Sequence, residues 1–115
     1  MNFEIQTNQE RRIFDRFPAR FPAKIKDSRD EFGMNMSLRD ACAEGARLIV
    51  RERLFVHDTL ALEIKLPDAD YPMTMHGQVK WIRKREFDGW DVGLKLHKID
   101  LLRMSRLYKF FVDPT

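Results

Sequence analysis

Thr59-Leu-Ala-Leu-Glu-Ile-Lys-Leu66 alternates with a period of two: Leu60, Leu62, Ile64 and Leu66 fall on one side, Thr59, Glu63 and Lys65 on the other. Successive side chains of a β-strand point to opposite faces, so the stretch predicts a strand with one dry and one wet side. Pro67 ends it, and Pro67 to Pro72 supply a turn. Met73 to Trp81 then repeats the pattern, with Met73, Met75, Val79 and Trp81 opposite Thr74, His76, Gln78 and Lys80. Gly77 interrupts the apolar side, where a bulge or bend is expected. Asp88-Gly89 marks the next turn, after which Trp90, Val92, Leu94 and Leu96 alternate with Asp91, Gly93, Lys95 and His97. The segments 73–82 and 90–97 therefore predict a hairpin, in which Trp81 and Trp90 are both substantially buried, Trp81 less so if it faces a ligand.

Upstream, 17–26 and 32–39 are weaker strand candidates and 46–50 is a short buried one. Turns this short favour an antiparallel sheet or barrel over parallel units joined by helices. The period changes after Ile99: Asp100 is a suitable N-cap, and Leu101, Met104, Leu107, Tyr108 and Phe111 share one helical stripe, with Arg103, Arg106 and Lys109 off it. The reading is a helix over about 100–112 whose apolar stripe packs on the end of the barrel, because a small domain needs that burial. Residues 1–9 read as a loose tail and 10–112 as a single domain, comprising an arginine segment at 11–16, a barrel at about 17–97 and the helix.

The 115 residues suit one domain, and 43% apolar with 34% charged residues describe a globular chain. Cys42 alone makes no internal disulfide, the three histidines have no zinc spacing, and neither a secretory leader nor a membrane-spanning segment is apparent. A cytoplasmic protein without a metal is expected. The net charge is only +3, but Glu10 to Arg29 holds seven basic residues against three acidic ones, an excess of +4. Such a local concentration suits a small anionic partner better than a long nucleic acid, which calls for charge over a whole face, or else it simply faces water, as charge runs on small domains usually do.

Catalysis needs a base, a nucleophile or a metal held in place, and no Gly-rich phosphate loop, HExxH or GxSxG pattern is present. His57, His76 and His97 each stand alone, and Asp68 and Asp70 lie in a proline-bounded turn where acids are common for backbone reasons. A non-enzyme is expected. Two short sets remain. Arg12-Ile-Phe-Asp-Arg16, preceded by Arg11, places two guanidinium groups four residues apart, and arginine forks onto phosphate or guanine edges and stacks on bases. Asp40-Ala-Cys-Ala-Glu-Gly45 offers a carboxylate for guanine N–H groups, the small Cys42 two positions on, and a glycine that admits close approach.

Arg12-xxx-Arg16 followed by Asp40-x-Cys42-x-x-Gly45-Ala46-Arg47-Leu48 resembles the PilZ domain, with its RxxxR and D/NxSxxG motifs. Gly77-Gln-Val79-Lys-Trp81 is similar to that family's GxVxW strand, Val92-Gly93-Leu94-Lys-Leu96 to its closing strand, and the segment from His97 into the helix to the ending of small stand-alone members. The resemblance covers about residues 10–111. It implies a mainly β fold, a six-stranded antiparallel barrel with a C-terminal α-helix, that binds the bacterial second messenger cyclic di-GMP and uses no other cofactor.

Carried over by position, Arg12 and Arg16 clamp phosphates and guanine edges with Arg11 as helper, Asp40 holds the guanine Watson–Crick edge and Gly45 admits the ligand. Trp81 is a candidate for base stacking as well as for barrel core. Cys42 departs from the pattern, putting a weak thiol where the family has serine. The register Asn35-x-Ser37 has the hydroxyl but sets Asp40 where glycine is required, so the Cys42 register is preferred. The leading expectation is a non-enzymatic receptor whose arginine segment folds over the ligand and alters the surface shown to a protein effector, in motility, pilus or exopolysaccharide machinery. The alternative is an adaptor of the same fold with a weakened or lost ligand site. A nucleic-acid-binding barrel ranks last, because most aromatics sit on core-facing stripes.

Overall fold

The computed structural model describes residues 14–113. Among the described residues, six strands, β1 (Phe17–Ile25), β2 (Met36–Cys42), β3 (Gly45–Val50), β4 (Thr59–Ile64), β5 (Met73–Lys84) and β6 (Trp90–Leu96), precede the helix α1 (Leu101–Val112). All neighbours pair antiparallel, and the order β1-β2-β3-β6-β5-β4 closes on itself as a barrel. The expected six-stranded barrel with a C-terminal helix is what the chain forms. The interior of so small a barrel is narrow, and its filling alternates large with small. Leu38, Leu48, Val50, Leu62, Ile64, Val79 and Val92 are buried beside Ala19, Ala23, Ala41 and Ala46.

Pairing between β1 and β4 is confined to Ala23–Ile25 against Leu62–Ile64, so among the described residues the first half of β1 has β2 alone as strand neighbour. Proline lacks an N–H and is tolerated on such an edge, which accounts for Pro18 within the strand. The helix covers that opening. Phe17 meets Tyr108 edge-on with ring centroids 5.1 Å apart, Phe21 meets Phe110 at 5.4 Å, and Met104 and Leu107 are fully buried. Phe111, expected on the buried stripe, is half exposed, and Phe110 takes the inner contact instead. Arg106 ties the helix to the β4–β5 turn through Asp68, at 2.8 Å.

Asp100 caps the helix as expected, accepting from the backbone N–H of Arg103 at 3.0 Å. That bond, aided by the Arg103 side chain, holds the Asp100 carboxyl below its usual range. A folded value below the unfolded one stabilises the fold above the unfolded value, and the contribution is lost as pH falls through the depressed folded value. Asp100→Ala is expected to lower stability by about 1 kcal/mol at neutral pH. The difference from the wild type should shrink below about pH 4, as urea unfolding at several pH values will show.

Three sequence expectations shift. The candidate strand at 32–39 starts only at Met36, because Gly33 adopts φ 81° and its N–H donates to the Ala23 carbonyl in a turn. The bulge expected at Gly77 lies further on, since Gly77 pairs regularly with Leu60 and Leu96 and the register slips between Val79 and Trp81. Trp81 and Trp90 are half-buried, not core residues. The tail assigned to residues 1–9 and the arginine pair Arg11 and Arg12 lie outside the described residues.

Candidate functional site

Two bulges turn side chains outward on one row of the barrel wall. In β2 the register against β3 slips between Leu38 and Asp40, leaving Arg39 as the extra residue. Period-two alternation from Leu38 would aim Asp40 at the core; the bulge sends it out, and Ala41 takes the inward place. In β5 the extra residue is Lys80, so Trp81 turns outward while Ile82 packs against the core. Pairing then aligns Pro18, Asp40, Arg47, Gly93 and Trp81 across β1, β2, β3, β6 and β5.

The row is linked by charge. Asp40 Oδ2 accepts from Arg47 Nε at 2.7 Å, and Asp40 Oδ1 lies 3.3 Å from Arg16 Nε. Arg47 Nη1 donates to Asp91 Oδ1 at 2.8 Å, and Arg85 approaches the same oxygen at 3.8 Å. Asp40 is largely covered, its side chain 13% exposed, whereas that of Arg16 is 58% exposed and free to turn to a ligand. The hydrogen bond to Asp40 raises the pKa of Arg47 against the opposing effect of desolvation, so this guanidinium stays charged at every physiological pH.

The Trp81 indole rests against Gly93. A Cβ on that glycine would stand 2.1 Å from the indole Nε1, so no other residue admits the ring there. The Arg83 guanidinium carbon sits 5.4 Å from the indole centroid, a cation–π distance. Gly45 has a structural reason of its own, because a Cβ would meet the Leu94 carbonyl oxygen of β6 at 2.5 Å. Cys42 is half-buried, paired with Gly45 at the end of β2.

Of the residues singled out in the sequence, Arg16, Asp40 and Trp81 share this wall with Cys42 and Gly45 at its edge. Sequence reasoning gave no role to Arg47 or Asp91, which join Asp40 to the Trp81 side. It also treated His76 and His97 as isolated, whereas the ring of His76 in β5 stacks with that of His97 just past β6, centroids 6.3 Å apart. Among the described residues, no group of three or more His, Cys, Asp or Glu is placed to hold a metal ion, and no helix is long and apolar enough to cross a membrane.

A model of the PilZ domain matches residues 10–111. The chain belongs to the PilZ domain family. This is a cyclic di-GMP-binding family, and the matched span takes in both the arginine segment and the whole barrel with its helix. Among solved structures, an inhibitor of motility from Bacillus subtilis (MotI/DgrA) superposes with a TM-score of 0.62 at 14% identity, over 86% of this chain. At that identity the likeness speaks for the fold, and this PilZ chain spans 48% of the length of that protein. None of the curated proteins matches the chain.

Proposed function

We propose that this PilZ chain is a receptor for cyclic di-GMP, binding it against the outer wall of β1, β2, β3, β6 and β5. The observation that carries the reading is the meeting of Arg16 and Asp40, 24 positions apart in the sequence, in one ion pair on the row that ends at Trp81. Arginine, an acceptor carboxylate and an aromatic ring are the three chemistries that a guanine nucleotide needs. In this reading Arg12 and Arg16, with Arg11 as helper, hold the phosphates and guanine edges. Asp40 accepts from the guanine N–H groups, Trp81 stacks on a base, and Cys42 and Gly45 border the ligand. The chain acts without catalysis: the ligand draws the arginine segment over the barrel wall, and the changed surface is read by a protein effector in motility, pilus or exopolysaccharide machinery.

Isothermal titration of the purified chain with cyclic di-GMP tests the proposal, and absence of heat at high micromolar ligand would reject it. A second reading, an adaptor with a weakened ligand site, is favoured by one residue, the thiol of Cys42 in place of a hydroxyl. A neutral hydrogen bond contributes about 0.5–1.5 kcal/mol, so Cys42→Ser should tighten binding roughly three- to tenfold. No gain in the variant would show that position 42 does not reach the ligand.

A further inference from the structure

We infer that Arg47 is the positioning residue that makes this site choose guanine over adenine, an inference that rests on the receptor reading above. Its side chain bridges two acids from different strands, giving Nε to Asp40 Oδ2 at 2.7 Å and Nη1 to Asp91 Oδ1 at 2.8 Å. A guanidinium is planar and its N–H groups point in fixed directions, so two such bonds fix its plane. The Asp40 carboxylate is thereby held in one orientation with Oδ2 already occupied.

The other oxygen is in a different state. Asp40 Oδ1 is buried and accepts no hydrogen bond from the described residues, although Arg16 Nε lies 3.3 Å away. Arg16 therefore covers this oxygen electrostatically without satisfying it. When Arg16 turns to a phosphate, Oδ1 becomes an aimed acceptor needing a donor. Guanine presents N1–H and N2–H donors on its Watson–Crick edge, whereas adenine presents the N1 lone pair. An acceptor that cannot rotate away leaves an adenine edge unpaired against a buried carboxylate oxygen, and such mismatches are where sites discriminate strongly. Without Arg47, the carboxylate is free to turn its oxygens towards Arg16 or solvent, and the discrimination is lost while the phosphate contacts remain.

Cyclic di-GMP and cyclic di-AMP share phosphates and riboses, so the ratio of their dissociation constants isolates the base edge. Titration of the wild type with both should show a preference for cyclic di-GMP of about a hundredfold or more. In Arg47→Met the preference should fall to about tenfold or less, through weaker cyclic di-GMP binding, with cyclic di-AMP binding little changed. Arg47→Lys should lie between, since a single ammonium supplies charge without the planar bridge, and it carries the comparison if the methionine variant fails to fold. A purely structural role would weaken both ligands together and preserve the ratio. A wild-type ratio in the variants, or equal binding of both ligands by the wild type, overturns the inference and leaves the receptor reading standing. If the wild type binds neither ligand, the receptor reading falls and takes the inference with it.

Discussion

Single alanine replacements of Arg12 and Arg16 are each expected to weaken cyclic di-GMP binding by tenfold or more. Hydrogen bonds to charged groups contribute about 1.5–3 kcal/mol each, which corresponds to roughly ten- to a hundredfold in affinity, and the ligand brings two phosphate charges for them. Among the described residues Arg16 pairs with Asp40, and because its own side chain is 58% exposed the pair is worth about 1 kcal/mol or less, although the carboxylate is largely covered. Redirecting Arg16 to a phosphate therefore gives up little. For the same reason Arg16→Ala should leave thermal stability nearly unchanged, which separates a ligand effect from a folding effect. Calorimetric titration alongside thermal melts checks both parts, and unchanged affinity in both variants would remove the arginine segment from the site.

Gly93→Ala should have a large effect for a one-carbon change on this wall. The added methyl carbon would stand 2.1 Å from Trp81 Nε1 and 2.2 Å from Cε2, so the indole must lift from its seat. Overpacking of this kind costs about 1–3 kcal/mol, a fall of roughly 5–15 °C in melting temperature for a domain of this size. A displaced indole gains solvent and emits further to the red, which a Trp90→Phe background isolates. Stacking of a base on an aromatic is worth about 1–3 kcal/mol, so ligand affinity should fall by roughly five- to a hundredfold as well. An unshifted emission with an unchanged melting temperature would mean that Trp81 does not rest on Gly93.

The wall and the core were not equally legible in the sequence. Strands β4 and β6 were readable because Leu62 and Ile64, or Val92, Leu94 and Leu96, keep period two without interruption, and the helix because Asp100 stands before Met104 and Leu107. The bulges were not read, though each left a trace. Leu38 and Ala41 are both buried three positions apart with Arg39-Asp40 between them, a spacing that plain alternation cannot satisfy. In β5, Val79 and Ile82 stand in the same relation, but the residue turned outward is a tryptophan, which hydrophobicity assigns to the core. Its outward seat depends on a glycine in a different strand, Gly93, and that pairing is a property of the closed barrel.

Arg47 was hidden for a similar reason. On β3 it is one more charged residue between Ala46 and Leu48, and only the β2–β3–β6 register brings Asp40 and Asp91 to its two sides. Motif resemblance reached Arg16 and Asp40 because their types and spacing survive in one dimension. The bridge that orients Asp40 exists only in three.

Backbone amide and indole N–H shifts of the labelled chain, followed by NMR during titration with cyclic di-GMP, show whether the ligand sits on the wall of β1, β2, β3, β6 and β5. The largest changes are expected at Arg16, from Asp40 to Gly45, at Arg47 and Gly93, and at the Trp81 indole. A spectrum that does not move at saturating ligand would contradict binding at this wall. Shifts gathered instead around the cavity of about 370 Å³ beside the helix start, lined by His76, His97 and Arg103, would contradict it equally.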